Sequence, residues 1–265
     1  MAKEIMKTHD LQFCSRPSKP SQKKLSYNYS DLALSPYNDY WREMRKICVV
    51  HLFNSVRVQQ FRPIREDEIS RMIEKISKSA VANSDQPVNL SEMMISLTNS
   101  IICRVALGKR YEDEGIERSR FHASLTELQA IAGGFFFSDY FPYKVIDEHL
   151  DPNRPKGEQE DIIDVLLQIK KERDFKIDLT WENIKGLLVD IFSGGTDTSA
   201  ASVIWAMTYL MKHLRVMKKA QEEIRDLAGK KGFVDEDDIQ RLSYLEAVVK
   251  ETMRLQPSLY VSGRI

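Results

Sequence analysis

Between Leu90 and Leu107 the apolar residues Met94, Leu97, Ile101 and Val105 recur every three to four positions, which lines them along one stripe of a helix. The same period governs much of the chain. Ile64, Ile69, Met72, Ile73 and Ile76 sit among charges and predict an amphipathic helix over 61–81. Ser35 and Pro36 read as an N-cap and a first helical position, so a helix is expected to run on through YNDYWREMRKICVVHLF. Ser91 is the expected cap of the 90–107 helix. QEDIIDVL begins another helix, ending in KKERDFK, which is expected to be a solvated end and nothing more. Thr180 caps a long central helix with Glu182 in its first turn. It is expected to reach about Met211, followed by helices over HLRVMKKAQEEIRDL and 239–255, the last closed by Pro257.

Strand-like alternation is scarce and no internal repeat is present, so the class read from the pattern is mainly α with little or no sheet. Residues 1–34, with Pro17 and Pro20, read as irregular ahead of a helical body over 35–265.

Composition narrows the function classes. A chain of 265 residues with 42% hydrophobic content can bury a sizeable core. Lys+Arg and Asp+Glu both number 39, so the zero net charge speaks against nucleic acid as a partner. Cys14, Cys48 and Cys103 are widely spaced without a CxxC pattern, which fits a reducing compartment and neither a disulfide framework nor a zinc site. The opening MAKEIMKTHDLQFC has no apolar run like that of a signal or anchor. The long apolar stretch 186–210 is interrupted by Asp190 and Asp197, and reads as a core helix; a membrane span needs about 20 predominantly apolar residues.

Three short stretches carry candidate chemistry. In FSGGTDTSAA, Gly194 and Gly195 each cost about 1 kcal/mol relative to alanine inside a helix, so something must offset them. One reading is a bulge, with Asp197 and Thr198 at the opening to hold water or hand on protons. The other is a close helix crossing that needs small residues. In KETMRL, Glu251 and Arg254 stand at i and i+3, and Glu251 shares its side with Ala247, Val248 and Leu255, predicting a structural ion pair with its carboxylate toward an apolar surface. In WREMR, Trp41 and Arg45 lie one turn apart and either present two donors to an anion or stack in a cation–π contact. FFFSDYFPY, residues 135–143, reads as a packed corner or as a wall of a ligand pocket.

Taken in chain order, WREMR, FSGGTDTSAA and KETMRL resemble the cytochrome P-450 superfamily of haem-thiolate monooxygenases, most nearly the plant microsomal family 71 type. KLSYNYSDLALSPYNDYWREMRKI, HLFNSVRVQQFRPIREDEI, VIDEHLDP, ENIKGLLVDIFSGGTDTSAA and LEAVVKETMRLQP extend the resemblance over nearly the whole chain. GGTDTS resembles the family's oxygen-binding motif and ETMR its ExxR motif. The resemblance implies the central part of that fold, a long central helix with others around it. It implies haem as cofactor, with Trp41 and Arg45 at the propionates, and Gly194 and Gly195 at an oxygen-side kink. Asp197 and Thr198 would assist protonation of dioxygen, and Glu251 with Arg254 would lock the haem-side core. It further implies electrons from NADPH through a reductase, a small hydrophobic substrate reached near 135–143, and the cytosolic face of the endoplasmic reticulum.

Departures accompany the resemblance. The family's iron-ligating cysteine lies beyond ExxR in an FxxGxRxC context; only eleven residues follow Arg254 here and none of the three cysteines has that context, so no residue is assigned as metal ligand. The family's amino-terminal anchor has no counterpart, and the passage from FPY into KVIDEHLDP is shorter than usual. LQPSLYVSGRI replaces the proline-rich run that normally follows. The expectation is an incomplete domain, truncated at both ends and inactive by itself. The alternative is a non-catalytic helical fragment acting, if at all, by protein association.

Overall fold

The computed structural model describes residues 3–16, 23, 26–82, 87–110, 150, 160–172 and 176–257. The helices among them are α1 (Asp10–Phe13), α2 (Asp39–Ile47), α3 (Ser55–Gln60), α4 (Arg62–Ala82), α5 (Leu90–Leu107), α6 (Ile162–Glu172), α7 (Trp181–Gly195), α8 (Asp197–Lys212), α9 (Leu214–Ala228) and α10 (Ser243–Leu255). No strand occurs among the described residues, in line with the mainly α reading. Residues 4–13, expected to be irregular, form a π-helical turn over Glu4–Thr8 and then α1; no proline interrupts them before Pro17.

Chain contacts group these elements into two compact units, where the sequence reading treated 1–265 as one incomplete domain. One takes in Met1–Phe61 and Ser100–Gly195, the other Arg62–Asn99 and Thr196–Tyr260.

In the first unit, α2 begins at Asp39 instead of following Ser35. Asn38 has an extended backbone and its side-chain oxygen accepts the Trp41 N–H at 2.9 Å, a better-placed cap than Ser35. A π-helical turn, Cys48–Leu52, follows α2 and packs against α6. Met44, Ile47, Leu52, Ile162, Ile163, Leu166, Ile184 and Leu187 form the fully buried centre. Thr180 caps α7 as expected: its hydroxyl accepts the Asn183 N–H at 3.2 Å while Asn183 Oδ1 accepts from the Thr180 N–H at 2.8 Å. Lys170 is more than a solvated end, since its ammonium donates to the Leu179 carbonyl at 2.5 Å and lies 5.0 Å from the Trp181 ring centroid.

In the second unit, α8, α9 and α10 pack on one another, burying Leu210, Ala220, Leu242 and Thr252. Glu223 on α9 caps α10 from outside, its two carboxylate oxygens accepting the N–H groups of Tyr244 at 2.8 Å and Leu245 at 2.9 Å. A 3₁₀ turn over Ile239–Arg241 precedes α10, so the last α-helix starts four residues later than the sequence pattern gives. Arg65 grips Glu236 through two bonds of 2.6 Å, tying α4 to the loop before α10. The predicted apolar face of α4 is only partly covered, with Ile69 and Ile73 exposed.

The cap of α5 is Asn89 in place of Ser91, its Oδ1 accepting the Glu92 N–H at 3.2 Å. This helix is long and apolar enough to cross a membrane by length and composition, but a core helix meets the same description, and Met94, Leu97, Cys103, Ala106 and Leu107 are buried.

Candidate functional site

The long central helix is interrupted where the glycines predicted it. α7 stops at Gly195, Thr196 takes φ −82° and ψ −69°, and α8 starts at Asp197. The two glycines do different work. A Cβ on Gly195 would meet Ile102 Cδ1 at 2.6 Å and Cγ1 at 3.0 Å, so this position is small because α5 crosses it closely. A Cβ on Gly194 would meet nothing within 4 Å. The crossing explains Gly195; at Gly194 the surroundings are open.

Asp197 and Thr198 form the first turn of α8 and are half-buried. Sequence reasoning passed over Thr196 between them and the glycines. That residue is 3% exposed, and its hydroxyl has no hydrogen-bond partner among the described residues. A buried hydroxyl without a partner among the described residues, beside a helix interruption, is placed to bond a water or a bound ligand. The signal for it was the motif itself, a threonine where α7 yields to α8.

In the first unit, the Arg45 guanidinium lies 5.4 Å from the Trp41 ring centroid, the cation–π arrangement that the motif offered as one of its two readings. Trp41 Nε1 donates to the Leu32 carbonyl at 3.0 Å, so the indole donor is paired inside the chain. Arg45 is exposed and presents its donors outward.

Glu251 and Arg254 form a bidentate pair, with both bonds at 2.7 Å, but their side chains are 55% and 66% exposed. The buried ion pair read from the projection is therefore corrected to a surface one. The face that Glu251 shares is itself open, with Ala247 and Leu255 exposed, while α10 buries Thr252. The arginine holds the Glu251 carboxyl below the usual range through these bonds. Residues 135–143 lie outside the described residues.

The segment before α2 meets α7 over a polar contact that sequence reasoning did not find. Asp190 Oδ2 accepts the N–H groups of Leu32 at 2.7 Å and Ala33 at 3.0 Å. Tyr40 donates to the Ser30 carbonyl at 2.5 Å and accepts from Asn183 Nδ2 at 2.8 Å. Gly186 permits the approach, because a Cβ there would lie 3.0–3.2 Å from backbone atoms of Ser30 and Asp31. Asn183, Gly186 and Asp190 share one face of α7 by spacing. Burial first, and Asp190 next, push the Cys48 thiol up to about 12, which keeps it un-ionised.

Taken unit by unit, the residues fit haem in part: in the first, Arg45 offers an exposed guanidinium suited to a carboxylate; in the second, Thr196 has a buried hydroxyl with no partner among the described residues. The Trp41 N–H fits the role of fixing the ring beneath Arg45 better than that of a direct donor. Among the described residues no cluster of metal-ligating side chains occurs.

Comparison with known proteins defines the class. The family model for cytochrome P450 matches residues 1–151 and 139–264. The chain belongs to the cytochrome P450 family. It is similar to "5-OH-xanthotoxin synthase" of Pastinaca sativa, 47% identical over 97% of this chain and 55% of that protein. "Cytochrome P450 71A1" of Persea americana is 42% identical over 97% of this chain and 57% of its own length. "Strychnine-11-hydroxylase" of Strychnos nux-vomica is 40% identical over 97% and 55%. The chain spans about half the length of the curated relatives it matches. A zebra fish cytochrome P450 solved with abiraterone superimposes with a TM-score of 0.80 at 20% identity, covering 96% of this chain and 61% of that one; this supports the fold.

Proposed function

We propose that this chain contributes to a haem-dependent monooxygenase that inserts one oxygen atom from O2 into a small hydrophobic substrate of plant secondary metabolism. Electrons would come from NADPH through a reductase, at the cytosolic face of the endoplasmic reticulum. The observation that carries this reading is the helix interruption at Thr196, with an unpaired buried hydroxyl there and Asp197 and Thr198 opening the next helix. Haem, when bound, supplies the redox centre at which dioxygen is activated.

The chain's own residues would act around it. Arg45 would hold a propionate carboxylate, and Trp41 would fix the plane of the guanidinium. The Thr198 hydroxyl and Asp197 carboxylate would order water and pass a proton toward the reacting oxygen. Gly194 would leave room beside the helix, and Gly195 would let α5 close behind it. Glu251 and Arg254 would brace the haem side of the second unit. None of Cys14, Cys48 and Cys103 has the motif context of the iron-ligating cysteine, so that role is assigned to none of them. The 265-residue polypeptide alone is expected to show no oxygenase activity.

The test is a chimera in which residues 26–257 replace the matching segment of the Pastinaca sativa synthase, assayed with reductase, NADPH and a panel of small aromatic substrates. An oxygenated product is expected, with Thr198→Ala diverting electrons to hydrogen peroxide. A folded, haem-loaded chimera whose coupling of electrons to product ignores both Asp197→Ala and Thr198→Ala sinks the reading.

A second reading, a helical fragment acting by association, is favoured by one observation. Val49, Val50, Phe53, Val56 and Val58 expose apolar side chains along one short stretch of the first unit. Light scattering of the 265-residue chain tests it, since charged substitutions at Val56 and Phe53 would abolish self-association.

A further inference from the structure

We propose that Asp31 and Asp190 share a single proton in the folded chain, and that this protonated pair fixes the loop over residues 26–36 on α7 and so positions Trp41.

The contacts around Asp31 leave one acceptor that a proton would satisfy. Asp31 is 2% exposed. Its Oδ2 accepts the Leu34 N–H at 3.0 Å, while its Oδ1 has no donor among the described residues. Asp190 Oδ2 already accepts from Leu32 and Ala33, the two residues that follow Asp31 in the chain, and Asp31 itself packs on Gly186, one turn before Asp190 on the same face of α7. Asp31 is buried and Asp190 half-buried, and as carboxylates both are acceptors only, so neither can satisfy the other. One proton on Asp31 turns the contact into O–H···O, so that Asp190 keeps its charge and accepts three donors.

Electrostatics agrees with this assignment. Burial and then the charge of Asp190 push Asp31 up to about 7, while the Leu34 N–H and neighbouring backbone groups pull it partly back. Asp190 is raised too, by burial, and is held down by its bonds to Leu32, Ala33 and Asp31. The other ionisable groups facing the pair cannot supply or take the proton near neutrality. Tyr40 is raised above its ordinary value by burial and then by Asp31, and Cys48 is raised to about 12. Arg45 acts on Cys48 from α2 and lowers its thiol slightly against the burial. Lys185, also buried on α7, lies about 140° around the helix from Asp190.

The connection to Trp41 runs through one peptide. Leu32 gives its N–H to Asp190 and its carbonyl to Trp41 Nε1 at 3.0 Å. Asp190 is thus a positioning residue for the Trp41–Arg45 pair, acting through the backbone. The inference does not depend on haem binding.

The experiment uses the 265-residue chain. Infrared difference spectra between mildly acidic and alkaline pH, with carbon-13 aspartate labelling, should show the carbonyl band of one un-ionised buried carboxyl, lost as pH rises past about 7. Asp31→Asn, which keeps a donor facing Asp190, should remove that band. In a Trp181→Phe, Trp205→Phe background the emission of Trp41 should shift over the same pH range, and Asp31→Asn or Asp190→Asn should abolish the shift. Absence of the band in the unsubstituted chain overturns the proposal, whatever the variants do. Persistence of the band in folded Asp31→Asn and Asp190→Asn proteins also overturns it, because the proton then resides elsewhere.

Discussion

The indole N–H of Trp41 donates to the carbonyl of Leu32 at 3.0 Å, so the single donor that Trp41 carries is paired within the chain. The exposed cation stacked on its ring, Arg45, is left as the donor to any anion on this side. Arg45→Ala is expected to weaken haem binding about tenfold or more, the loss of a bond to a charged group. Trp41→Phe keeps a ring under the guanidinium and should cost only about threefold. Absorbance titration with haem measures both, and equal losses would return Trp41 to the role of direct donor.

The glycines of the central helices should separate in unfolding experiments. Gly186→Ala forces a methyl group against the backbone of Ser30 and Asp31 at 3.0–3.2 Å, which cannot swing aside, and should destabilise by about 1–3 kcal/mol. Gly195→Ala meets only the end of Ile102, and Ile102→Ala should relieve it. Gly194→Ala meets nothing and should stabilise α7 by up to about 1 kcal/mol. Urea midpoints that rank the three differently would contradict these contacts.

The carboxyl pair fixes a pH dependence. The pair holds its shared proton on Asp31 to about 7 when folded, against 3.8 as the ordinary value, because burial and the neighbouring Asp190 disfavour the charged form. Between these limits the folded chain binds protons that the unfolded chain has lost, so stability falls as pH rises from about 4 to about 7 and then levels. The drop should be roughly 2–4 kcal/mol, and Asp31→Asn should flatten it. Unfolding free energies measured across this range check the sign; a rise toward neutrality would refute the pairing.

Glu251→Gln should leave the unfolding midpoint of the 265-residue chain unchanged, because the pair it breaks is exposed to water. Glu223→Ala should lower the midpoint, since it strips two N–H groups at the start of α10 of their acceptor. The neighbouring substitution Glu222→Ala is the control. An effect of Glu251→Gln as large as that of Glu223→Ala would restore a buried role to the former.

Helix periodicity and small residues were legible from local sequence. The helices around Met72, Leu97 and Leu187 follow from 3.6-residue spacing, and the break at Thr196 follows from Gly194 and Gly195, because weak helix formers act where they stand. Caps were less legible: Asn38 and Asn89 displaced Ser35 and Ser91, since several residues in a row can cap and backbone geometry chooses among them.

By itself the sequence determined the mainly helical class, the interrupted central helix and membership of the cytochrome P450 family, all carried by neighbours in the chain and by motif order. Only the tertiary structure decided that Glu251 faces water, that Gly195 yields to Ile102, and that Asp190 reaches Leu32 across 158 residues. Burial and long-range pairing depend on which surfaces meet, and a one-dimensional pattern records a residue's face but not what covers it.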